Sequence, residues 1–166
     1  MKLCSMLLLV LSASAAFAQD GTVVRWQQIN GVITAPGVDN PVGGISSGAG
    51  PWTTKSGAAR VNFRTGSVFF FVDGLVLAGG NSIGTPGPVA SVIGTLVCNA
   101  GSPGGSPAQQ VFDTPAVTLN PEGNAQFSGT FSFLPTCSKP IFLIRAGTRW
   151  IANGAVPTTS SASNDN

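Results

Sequence analysis

Residues 58–73, with the sequence AARVNFRTGSVFFFVD, decide the fold. Along 58–64 apolar and polar side chains alternate, which is the pattern of a β-strand with one buried face. The apolar members of that strand are Ala59, Val61 and Phe63. Thr65-Gly66 is a turn signal and 67–73 is a second apolar run, so the stretch predicts a β-hairpin.

The same short-strand pattern recurs along the chain, while a helical repeat of apolar residues is not found. Further strands are predicted at 22–30, 89–98, 110–119, 124–133, 141–145 and 149–154. The turn Asn120-Pro121-Glu122-Gly123 predicts a second hairpin, between 110–119 and 124–133. The connection 37–57 is rich in glycine and proline. We therefore expect an all-β fold, an antiparallel β-sandwich or small barrel of seven to eight short strands with long Gly/Pro loops.

The first 18 residues have the composition of a secretory signal peptide. Lys2 precedes the apolar run 3–11, and Ala16-Phe17-Ala18 fits the small-residue cleavage rule. The sequence thus predicts cleavage after Ala18, a periplasmic or extracellular location, and no transmembrane anchor after cleavage. Residues 19–156 are predicted to form a single domain, and 157–166 a disordered tail with almost nothing apolar to bury.

Charged residues make up only 8% of the chain, and the formal net charge is +2. The basic residues are scattered and form no continuous stripe. Because nucleic-acid binding depends on a basic stripe that neutralises phosphates, no nucleic-acid partner is expected.

After cleavage two cysteines remain, Cys98 and Cys137. In an oxidising compartment two cysteines most simply form one disulfide, and this is the pairing that we predict. A two-thiolate metal site is the alternative, but it needs histidine or further cysteine ligands, and the chain has no histidine. No metal or other cofactor is predicted.

The motifs for catalysis are incomplete. Without histidine, Ser-His-Asp and Cys-His arrangements are excluded. Asp113-Thr114-Pro115 has proline where the aspartic-protease motif has glycine, and there is no second copy. Lys55-Ser56-Gly57 lacks the partner motif of penicillin-recognising enzymes. No catalytic residue is therefore predicted; a hydrolase would need two carboxylates in one cleft, drawn from Asp39, Asp73, Asp113 and Glu122.

Three tryptophans are the side chains best suited to stack on a ligand or anchor an interface. Trp26 and Trp150 follow Arg25 and Arg149 in predicted strands, so they are expected to face the core. Trp52 lies in the Gly/Pro-rich connection and is the candidate ligand contact. Its alternative role is to close one end of the core.

Part of the chain resembles a known family. Residues 57–61 (GAARV), Thr65-Gly66 and 71–75 (FVDGL) are similar to the opening of a CHRD domain, an exported β-rich module of chordin and many bacterial secreted proteins. The resemblance implies an exported β-sandwich and covers 57–75 only. The family usually has histidines after the Gly-Leu pair, but Val76 and Leu77 follow here, so no metal site is implied.

These observations favour an exported, non-catalytic module that binds or assembles with cell-surface or envelope components. The partner is unassigned and is expected to be carbohydrate or protein. The alternative is a secreted hydrolase that uses Asp and Ser chemistry without histidine. A third hypothesis is a subunit that pairs through an exposed strand edge.

Overall fold

The structure, a computed structural model, describes residues 22–35, 37–101, 104–105, 107–132 and 137–161. The predicted signal peptide (1–18) and the end of the predicted tail (162–166) lie outside the described residues. No helix is found in the described ranges, which form eleven strands. The strands are β1 (Thr22–Gly31), β2 (Trp52–Thr53), β3 (Ser56–Asn62), β4 (Ser67–Asp73), β5 (Val76–Leu77), β6 (Ser91–Cys98), β7 (Gln110–Asp113), β8 (Val117–Thr118), β9 (Ala125–Thr130), β10 (Ile141–Ala146) and β11 (Arg149–Ser161).

Most strands belong to one antiparallel sheet with the order β7-β6-β10-β11-β1-β3-β4-β9, and β8 also pairs with β6. The sheet curls into a half-barrel, and β2 and β5 form a small second sheet. Inside the curl, the ring of Phe142 in β10 lies 5.8 Å from that of Phe70 in β4 and 5.5 Å from that of Trp26 in β1. The predicted all-β class, a sandwich or small barrel, is confirmed.

Two glycines give the large core side chains their space. A Cβ atom on Gly94, in the middle of β6, would lie 2.5 Å from Cε1 of Phe70. A Cβ atom on Gly154, in β11, would lie 2.6 Å from Cγ of Trp26. Because protein interiors are close-packed, the aromatic cluster depends on both glycines.

The 58–73 hairpin is confirmed with a small shift of its first strand. β3 and β4 pair from Ser56↔Asp73 to Val61↔Val68. The first strand ends at Asn62 because the Asn62 Oδ1 atom accepts hydrogen bonds from the amides of Arg64 and Thr65, which starts the turn. The strands predicted at 141–145 and 149–154 are found as β10 and β11, and they pair as a further hairpin.

The predicted hairpin between 110–119 and 124–133 is wrong. β7 and β8 pair with β6, whereas β9 pairs with β4 at the other end of the sheet order. The turn itself exists, with the Gly123 amide donating to the Asn120 carbonyl at 2.9 Å. However, the Gly123 carbonyl accepts from the Leu75 amide at 2.8 Å, which directs the following chain to β4. The turn therefore connects the two edges of the curled sheet.

The predicted disordered tail is wrong for 157–161, which are the last part of β11 and extend the domain beyond residue 156. They pair with the start of β1, from Trp26↔Pro157 to Thr22↔Ser161. Main-chain hydrogen bonds hold this segment, so it needs no apolar side chains. Pro157 is compatible with the pairing because β10, the neighbour on the other side of β11, pairs only with 149–153.

Candidate functional site

Cys98 and Cys137 lie at bonding distance, with sulfur atoms 2.05 Å apart and Cα atoms 4.9 Å apart, as expected for the predicted disulfide. β6 and β10 pair directly beside it, at Val97↔Ile141. The Oδ1 atom of Asn99 accepts hydrogen bonds from the amide and hydroxyl of Ser138, each at 2.9 Å. The bond and this asparagine fix the approach to β10, so the cysteines serve the fold.

Trp52 is not in an open loop. Only 5% of it is exposed, and it pairs with Leu77 in the small sheet. Its amide donates to the Val32 carbonyl at 2.8 Å. Gly31 makes this close approach to β1 achievable, since a Cβ atom there would collide with the Trp52 backbone. The indole is thus part of the core, the alternative role that the sequence left for it, and it offers no exposed platform.

The other two tryptophans are in the core, as predicted. Trp26 is 2% exposed and Trp150 is 3% exposed. The buried indole nitrogen of Trp150 donates to the Asn40 carbonyl at 2.9 Å. Its polar edge is therefore satisfied without water.

Two of the four candidate acids, Asp39 and Asp113, are held by separate partners. Asp39 accepts hydrogen bonds from the Ser46 hydroxyl and the Ser47 amide, which lower the pKa of its carboxyl. Asp113 pairs with Arg145 at 3.0 Å and accepts from the Thr95 hydroxyl at 2.6 Å. Asp73 ends β4, and Glu122 is exposed in the turn before β9.

Across the described ranges, no group of three or more His, Cys, Asp or Glu side chains is placed to hold a metal ion. In that same part of the chain, no helix has the length and hydropathy needed to cross a membrane.

A groove of about 410 Å³ lies between β1 and β3. β3 pairs with β1 only from Val23 to Trp26, so the strands separate beyond Trp26. Thr54, two residues before β3, donates its hydroxyl to the Ile29 carbonyl at 2.6 Å and so links the two walls of the gap. We call this feature the amide groove. Its lining residues are Gln27, Gln28, Ile29, Asn30, Thr54, Lys55, Ser56, Gly57 and Phe71.

The amide groove has a polar rim and an apolar floor. Gln27, Gln28 and Asn30 are exposed, and their side chains make no hydrogen bond within the described part of the chain. Buried Ile29 and half-buried Phe71 contribute the apolar surface. Free amides beside an apolar surface can bind a ligand that combines hydroxyl groups with C–H faces.

Sequence analysis did not identify this groove. A signal was present: Gln27 and Gln28 are adjacent polar residues between buried Trp26 and Ile29, and they break the alternation of β1. Such a break indicates a bulge or a strand that leaves its neighbour. Thr54 and Phe71 line the groove opposite these glutamines. Their position depends on the register of β3 and β4, and the hydrophobic pattern alone does not give that register.

A search for similar proteins found no matching family model and no significant match among curated proteins or solved structures. The CHRD resemblance of 57–75 therefore stays a prediction.

Proposed function

We propose that this protein is an exported, non-catalytic binding module whose amide groove takes a neutral polysaccharide of the cell surface or envelope. The observation that carries the proposal is the row of unpaired amides of Gln27, Gln28 and Asn30 beside the half-buried ring of Phe71. The disulfide supports an oxidising, extracytoplasmic compartment, in keeping with the predicted signal peptide.

The chemistry of the lining favours a sugar over other ligands. Each amide offers both donors and acceptors, which suits neighbouring hydroxyl groups. An aromatic face such as Phe71 packs against the C–H side of a sugar ring. Lys55 is the single charged residue of the lining, so the groove is not built for a strongly anionic ligand.

The lining also argues against the hydrolase alternative. A glycosidase needs two carboxylates flanking the bond that it cleaves. None of the lining residues of the amide groove is Asp or Glu. Asp39 and Asp113 are instead bound to Ser46 and Arg145, respectively, outside the groove.

Affinity gel electrophoresis with soluble neutral polysaccharides (xylan, laminarin and glucomannan) tests the proposal. At least one of them should retard the wild-type protein. Gln28→Ala should weaken that retardation by about tenfold or less, as expected for the loss of one or two neutral hydrogen bonds. The matched control is Gln110→Ala, on exposed β7, which should bind like the wild type.

Two results would refute the proposal. One is no retardation by any of the three polysaccharides. The other is equal retardation of wild type and a Gln27→Ala/Gln28→Ala double variant, which would place binding elsewhere on the molecule.

A further inference from the structure

A second concave feature, of about 380 Å³, lies between the β10–β11 turn, the 44–46 segment and the edge of β7. We call it the arginine cleft, because two guanidinium groups, those of Arg145 and Arg149, line it. We propose that this cleft is an anion-binding site that takes the carboxylate or phosphate group of a small organic ligand.

Hydrogen bonds fix the Arg145 guanidinium in place but do not occupy all of its donors. Its Nη1 donates to both oxygens of Asp113, at 3.0 and 3.1 Å, and its Nη2 donates to the Gly147 carbonyl at 3.0 Å. Its Nε atom is buried and has no hydrogen-bond partner among the described residues. The buried Nε is out of reach of a ligand. Nη2, however, makes only one hydrogen bond among the described residues, so its second N–H remains for an oxygen of a bound anion.

The Arg149 guanidinium is exposed and is held by one hydrogen bond. Its Nη1 donates to the Ser47 carbonyl at 2.8 Å. Ser47 is itself fixed by a β-bridge to Trp150 and by the hydrogen bond that its amide donates to the Asp39 carboxylate. No other hydrogen bond of Arg149 occurs in the described part of the chain, so its Nε and Nη2 remain available.

The acidic residues hold the arginines from outside the cleft. Asp113 binds Arg145, and Asp39 binds Ser46 and interacts electrostatically with Arg149. Neither carboxylate lines the cleft. Both guanidinium groups thus line the cleft with free donors, Arg145 ion-paired with Asp113 and Arg149 exposed, and such donors suit an oxyanion.

The apolar part of the lining indicates that the anion carries an organic group. Val111 is 45% exposed, and half-buried Ile45 lies on the same cleft. The volume lies within the range of small-molecule sites rather than that of a single ion. The Thr148 hydroxyl also lines the cleft and is without a partner among the described residues.

NMR of the arginine Nε–H groups tests this proposal. The chain has five arginines, so five Nε–H signals are expected. Glucuronate and glucose 6-phosphate, added at constant ionic strength, should shift the signals of Arg145 and Arg149 but not those of Arg25 and Arg60. Glucose is the neutral probe and should shift none of them.

Variants locate the effect. Arg149→Gln should weaken binding of the anionic probe by about tenfold or more, the loss expected for charge-assisted hydrogen bonds. Arg60→Gln, on the exposed face of β3, should bind like the wild type. If Arg149→Gln does not fold, the wild-type shifts alone decide the matter.

A larger shift with glucuronate would assign a carboxylate ligand. A larger shift with glucose 6-phosphate would assign a phosphate ligand. Shifts that sodium chloride reproduces, or shifts spread equally over all five arginines, would overturn the proposal. The proposal does not depend on the amide groove: neutral polysaccharides test that site, and the anionic probes test the arginine cleft.

Discussion

The two halves of β1 have different neighbours and different roles. Val23 to Trp26 pair with β3 on one side and with the end of β11 on the other. Beyond Trp26 the strand keeps β11 but leaves β3, and the gap is the amide groove. The first half contributes a large buried side chain, and the second contributes exposed amides. One strand therefore supplies both stability and the surface that we propose binds the polysaccharide.

The largest expected effect on stability comes from a substitution in the first half of β1. Trp26→Ala removes a side chain that is 2% exposed and contacts Phe142, so it should destabilise the protein by about 3–5 kcal/mol. Gln28→Ala, two residues later, should change stability by less than about 0.5 kcal/mol. Urea denaturation of both variants measures the contrast. Equal destabilisation would mean that the second half is structural as well.

A smaller but substantial loss of stability is expected when residues 157–166 are removed. The truncation deletes the segment that pairs with Thr22 to Trp26, and at about 0.5–1.5 kcal/mol per hydrogen bond it should cost roughly 2 kcal/mol or more. Thr158→Ala, which keeps the main chain, is the matched control and should be nearly neutral. A truncated protein with an unchanged melting temperature would show that this part of β11 does not stabilise β1.

Sequence reasoning worked where side-chain pattern and local turns determine the structure. The alternation at 58–64 and the Thr65-Gly66 turn predicted the central hairpin, and the two cysteines predicted their pairing. It failed where the structure is determined by main-chain pairing or by a contact between residues far apart in sequence. The polar end of β11 carries no apolar signal, and the Gly123–Leu75 hydrogen bond that redirects β9 joins residues far apart in sequence.

The site was harder to predict for a similar reason. Trp52 was the most conspicuous aromatic residue in a loop, but hydrogen bonding to Val32 and pairing with Leu77 place it in the core. The amide groove instead arises from a gap between two strands. A gap depends on where pairing stops, and beyond Trp26 the Ile29 carbonyl accepts from the Thr54 hydroxyl and not from the main chain of β3.

A still smaller effect on stability is expected at the junction of the two halves. Thr54→Val removes the hydroxyl that donates to the Ile29 carbonyl and should cost about 1 kcal/mol. It should also weaken polysaccharide binding, because the strands are no longer held at the same separation. Thr53→Val, at the exposed neighbouring position, is the control. Unchanged binding in Thr54→Val would show that this hydrogen bond does not shape the groove.

The most direct test of the central claim is to map binding along β1 itself. Amide chemical shifts would be recorded while the wild-type protein is titrated with the neutral polysaccharide that retards it most in affinity electrophoresis. The account predicts shifts at 27–30 and across the groove at 54–57, with residues 22–26 unchanged. Shifts concentrated at 22–26, or absent from both walls of the groove, would contradict the division of β1 into a structural half and a binding half.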